Sequence, residues 1–118
     1  MGLFRAAITA IGLALDVDLL EVEQAFYAKT GDSTGTPGTS SLNTPAGRSA
    51  FAASTSTCTI NNNLVSISDH VFVQLRSVDA TLSVIKTVVV ANGSFTVTGN
   101  VAATGAVIFS WFVVKSKT

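Results

Sequence analysis

From Thr87 to Val114 the sequence carries no charged residue. A membrane-spanning helix needs about 20 consecutive, mostly apolar residues. This stretch is broken by Asn92-Gly93, Gly99-Asn100 and Gly105 into pieces of strand length, so it reads as β-structure. The clearest local instruction is Asn92-Gly93, set between Val88-Val89-Val90-Ala91 and Ser94-Phe95-Thr96-Val97-Thr98. Asn-Gly tolerates positive φ at both positions and favours the type I′ turn of an antiparallel hairpin.

The side-chain pattern within these pieces assigns faces. Ser94 to Thr98 alternates cleanly, with Phe95 and Val97 toward a core and the hydroxyls outward, as expected for a strand wet on one side. His70 to Arg76 alternates too, with Val71, Val73 and Leu75 inward. Ala106 to Val114 breaks the rule. Val107, Phe109, Trp111 and Val113 fall on one face; Ile108, Phe112 and Val114 fall on the other, with only Ser110 polar. A small two-layer domain buries one face of each strand, and a strand apolar on both faces needs a second cover. We expect an interface between copies of the chain that includes Ile108, Phe112 and Val114. Ile85 and Val89, read on the reverse face from Leu82, Val84, Val88 and Val90, would add to it. The alternative cover is the amino-terminal helix folding back.

The remaining sequence divides the chain into three regions. Residues 1–30 read as a helical anchor: Leu3, Phe4, Ala7, Ile8, Ile11 and Leu15 recur at three- and four-residue spacing. Phe4, Ile8, Ile11 and Leu15 form its apolar stripe. Asp16 or Asp18 would cap a second helical segment, and Gly31 would stop it. Residues 31–49 are rich in Gly, Ser, Thr and Pro and read as a linker. Residues 50–118 read as six strands in a small antiparallel β-sandwich or barrel. Thr55–Ile60 and Leu64–Ser68 would be joined by the turn-prone Asn61-Asn62-Asn63. His70–Ser77 and Thr81–Ala91 would follow, then the strand after Asn92-Gly93, then Ala106–Val114. The fold class is therefore mainly β with an amino-terminal α-helical segment.

Composition excludes several functions. The chain has 118 residues, 47% hydrophobic and only 12% charged, so it is not of the disordered type. Seven basic residues balance seven acidic ones without a Lys/Arg run, so no nucleic acid partner is expected. A surface so poor in charge risks precipitation unless partners cover part of it. Residues 1–15 loosely resemble a secretory leader, but Asp16 and Asp18 follow directly and no small-x-small cleavage site is present. The helix has little Lys or Arg on its polar face, which argues against membrane binding.

Candidate chemistry is sparse. Cys58 is the only cysteine; with His70 it falls short of a metal ligand set, and a buried apolar thiol is the expected role. Asp69 and His70 are adjacent, so on one strand they point to opposite faces and make no acid–imidazole dyad. Asp16, Asp18, Glu21 and Glu23 lack the glycine and later glutamate of a calcium loop. Gly31 to Gly38 lacks the ending of a phosphate loop. Arg76 and Asp79 flank a turn and would pair weakly. Asn92-Gly93-Ser94 has the form of a glycosylation sequon but reads as a hairpin tip. Catalytic residues, metal ligands and cofactor sites are all expected to be absent.

The runs CTINNNLVSISDHVFVQL, NGSFTVTG and TGAVIFSWFVV together resemble a small β-domain found at the carboxy end of bacteriophage virion proteins of the head-decoration, spike or fibre type. The matching positions are Leu64–Ser68, Val71–Leu75, Gly93–Val97 and Ala106–Val114, within roughly the last 60 residues. The resemblance implies a non-enzymatic virion component, commonly trimeric, whose partners are copies of itself and other virion proteins such as the major capsid protein. The helix would dock on the particle and the sandwich would project. A second expectation is a host-surface module that binds glycan or protein through loop tips such as Thr98 to Gly105. A membrane-associated protein is a third.

Overall fold

Eight strands form over residues 27–117, which the computed structural model describes: β1 (Thr30–Asp32), β2 (Ser40–Ser41), β3 (Ala46–Phe51), β4 (Thr57–Asn61), β5 (His70–Leu75), β6 (Ile85–Ala91), β7 (Ser94–Gly99) and β8 (Val107–Val114). They build two packed four-stranded sheets, ordered β1-β3-β8-β5 and β2-β4-β7-β6. The expectation of a mainly β, two-layer fold is met. The expected helix, with Phe4, Ile8, Ile11 and Leu15, lies outside the described residues.

The core follows the predicted alternation. Phe95 and Val97 of β7 are fully buried, as are Val107 and Phe109 of β8, with Trp111 nearly so. Val71, Val73 and Leu75 of β5 pack against them. Phe95 of β7 meets Trp111 of β8 across the two layers, and Phe51 meets Phe109 within one sheet, each pair with ring centroids 5.0 Å apart. Gly47 makes room for the indole, since a Cβ there would lie 2.6 Å from Trp111 Cζ2.

The stretch expected to be a linker is part of the sandwich. β1 and β2 are edge strands, each parallel to its neighbour, β3 and β4 respectively. The sandwich thus begins near Thr30, not residue 50, and Gly31 sits in a strand instead of ending a helix. Leu42 packs against the core, and hydrogen bonds supply the other attachments of this stretch. The Ser33 N–H donates to Arg48 O, the Gly38 N–H to Ala50 O and the Leu42 N–H to Asn61 O. Inside, Trp111 Nε1 donates to Ser49 Oγ, which also accepts from Ser33 Oγ, and Ser40 Oγ donates to Ser33 Oγ.

Two other expectations are corrected. Leu64–Ser68 forms no strand. The buried Asn62 bonds Leu64 N–H and Thr44 O, while Asp69 and Asn92 accept from Ser66 and Ile67. These local partners replace a ladder. The hairpin at Asn92-Gly93 does form, with Ala91 opposite Ser94, but its turn is not type I′. Only Gly93 has positive φ, at 83°, as at the third position of a type II turn. The loop bonded to the turn fixes this choice: Asn62 N–H donates to Gly93 O, Gly93 N–H to Val65 O, and Ile67 N–H to Asn92 Oδ1.

Candidate interaction surface

In an antiparallel pair, residues in register share a face. Trp111, Phe109 and Val107 point inward, so the even-numbered residues of β8 point outward. The register then places Ala46, Phe112 and Phe72 in one outward row and Arg48, Ser110 and Gln74 in the next. The first row carries an exposed aromatic stack. Phe72 and Phe112 lie 5.1 Å apart at 20° and are 52% and 43% exposed. Val114, in register with His70, is 43% exposed, and Ile108 is half-buried.

Charges flank this face. Arg48 Nη2 meets Asp32 Oδ2 at 2.6 Å, and Arg76 Nη1 donates to Ser110 Oγ at 3.1 Å. An open hollow of about 560 Å³ runs between Tyr27, Thr30, Arg48, Arg76 and Phe112. A second, of about 270 Å³, lies across Phe112 beside Phe72 and Gln74.

The residues predicted for one interface do not share one surface. Ile108, Phe112 and Val114 do. Val89 is 61% exposed but lies on the outer face of the other sheet. Ile85 turns inward and packs against the core, opposite the buried Gly99. The cause is a bulge between Ile85 and Thr87, which inserts one residue and shifts the alternation. It also turns Val84 outward, 54% exposed. Phe72 was missed: alternation assigns it to the solvent side of β5, and only the register opposite Phe112 gives it a partner.

The polar residues do structural work. The buried Asp69 carboxylate accepts from Lys115 Nζ, Ser116 N–H and Ser66 N–H; the Lys115 ammonium first, then these amides, hold it well below the usual carboxylate range. The adjacent His70 is exposed on the far side of the strand. Asp79 does not pair with Arg76. It accepts from Thr104 Oγ1 at 2.6 Å, Leu82 N–H at 2.9 Å and Thr81 N–H at 3.0 Å. The Thr104 hydroxyl is the largest of the effects that lower its pKa. Asp79 and Asn100, which accepts from Ser83 N–H, thus occupy polar groups of the loop around Thr98 to Gly105. Cys58 is a buried thiol, its pKa pushed up to about 11 by desolvation. Among the described residues no cluster of three or more His, Cys, Asp or Glu is placed to hold a metal ion, and no helix is long and apolar enough to cross a membrane.

No family model matches the chain, and no characterised protein or solved structure matches it either.

Proposed function

We propose that the chain is a non-enzymatic structural subunit of a bacteriophage particle, working by association with copies of itself and with other virion proteins. The observation that carries the self-association is the stacked, exposed Phe72–Phe112 pair, continued by Val114 and Ile108 on one sheet face. Covering the exposed parts of two such rings contributes roughly 1 kcal/mol or more each. Contiguous exposed apolar patches on soluble domains mark interaction sites. The virion assignment rests on the sequence resemblance.

Light scattering during size exclusion of the full chain tests the first part. An oligomer is expected, with Phe112→Ser shifting it toward monomer; a wild-type monomer at every concentration sinks the reading. Mass spectrometry of the purified particle tests the second. Detection at a fixed stoichiometry to the major shell protein supports it, and absence from the particle refutes it.

A second reading is a glycan- or protein-binding module. The 560 Å³ hollow favours it, because small-ligand sites fall between about 300 and 1,000 Å³ and Phe112 with two arginines supplies stacking and charge. A glycan array with wild type and Arg48→Ala checks this; binding equal in both excludes the hollow.

A further inference from the structure

An edge strand offers a row of N–H and C=O groups to any chain able to pair with it, so proteins blunt their edges. Three of the four edges here are blunted. β1 has three residues and β2 has two. β6 carries Lys86 and a bulge. β5 has none of these devices: it is six residues long, HVFVQL, without Pro, Lys, Arg, Asp or Glu, and in unbroken register with β8.

The free groups on β5 can be identified. Arg76 N–H donates to Ile108 O at 2.7 Å, and the same register pairs Gln74 with Ser110 and Phe72 with Phe112. Bonded pairs alternate along an antiparallel ladder, so the backbone groups of Phe72 and Gln74 face β8. Those of Val71, Val73 and Leu75 face away. The phase agrees on the other side of β8, where Val113 N–H donates to Pro45 O at 2.8 Å. Among the described residues no strand pairs with this side of β5; β6 of the other sheet lies against it without forming a ladder.

We infer that β5 pairs antiparallel with β5 of a second copy of this chain, joining the two β1-β3-β8-β5 sheets into one. This rests on the self-association reading and gives it a geometry. The occupant is a second copy because HVFVQL complements itself. The strand has no charge to oppose, and a two-fold axis normal to the sheet sets inward residues against inward ones. With Val73 on the axis, Val71 pairs with Leu75 of the second copy, and all three edge residues gain backbone partners. Phe72 then sits diagonal to its counterpart, about 7–8 Å away and within reach of an aromatic ring. The aromatic row thus continues across the seam.

Amide hydrogen exchange followed by NMR on the full chain, above and below the dissociation concentration found by light scattering, tests this. On association the amides of Val71, Val73 and Leu75 should slow by about tenfold or more, as amides do when opening becomes costly; those of Phe72 and Gln74 should change little. An oligomer in which those three amides do not slow overturns edge pairing and leaves self-association standing. A chain that stays monomeric overturns both. Protection independent of concentration means a cover from the same chain and also overturns the inference. Gln74→Lys places a blunting charge on the exposed side of β5 and should weaken the dissociation constant by about tenfold without lowering the monomer's Tm. An unchanged constant counts against the seam.

Discussion

At the scale of single residues, the fold depends on polar groups placed where apolar ones would be expected. Ser49 is fully buried and receives the Trp111 indole N–H at 3.1 Å. Ser49→Ala should destabilise the protein by about 1–3 kcal/mol, because the indole N–H would be buried without a partner; urea titration measures this. Three aspartates set the acid limit. Asp69, Asp79 and Asp32 are all held below the ordinary carboxylate range, by Lys115, Thr104 and Thr34 first in each case. A lowered folded-state pKa stabilises above the unfolded value, near 4, and that stability is lost as pH falls through the folded value. Tm should therefore drop below about pH 4, and Asp79→Asn should make that drop shallower. Cys58 has the opposite sign. Its raised pKa of about 11 means that stability declines as pH rises from about 9, and Cys58→Ala should flatten that alkaline limb.

At the scale of elements, β8 separates two kinds of apolar residue on one strand. Phe109 on the inner face is fully buried against Phe51, so Phe109→Ala should destabilise by about 3–5 kcal/mol. Phe112 on the outer face stacks only on Phe72, and Phe112→Ala should destabilise the monomer by no more than about 1.5 kcal/mol. Chemical denaturation of both variants at low protein concentration makes the comparison. The two faces of β8 were legible in the sequence because alternation is a local property, and the same holds for β5 and β7. Three features were not. The bulge in β6 shifts the count between Ile85 and Thr87, so Ile85 faces the core, while Val89 faces outward as read but on the other sheet. β1 and β2 have no hydrophobic pattern; they are fixed by Ser33, Gly38 and Leu42 bonding strands distant in sequence. The position of Phe72 beside Phe112 is a matter of register, which alternation within one strand does not specify.

At the scale of the whole molecule, charge is divided unevenly. Residues 1–26 carry Arg5 against Asp16, Asp18, Glu21 and Glu23, whereas residues 27–117 carry more Lys and Arg than Asp. The net balance of the chain therefore hides two regions of opposite sign. Self-association also has a thermodynamic signature: anything that binds the native state alone raises its apparent stability by mass action. Scanning calorimetry across a range of protein concentrations should show Tm rising with concentration, and a constant Tm would speak against an oligomer of folded subunits. Finally, β8 is the last of the described strands, yet it lies between β3 and β5 at the centre of its sheet. Trp111 and Ser49 meet across 62 residues of sequence. During synthesis β5 has no neighbour in its sheet, and β3 has only the three-residue β1, until residues 107–114 follow. The β3–β8–β5 part of the sheet therefore closes in one late step, and until then β5 and the open side of β3 are what a chaperone would have to shield.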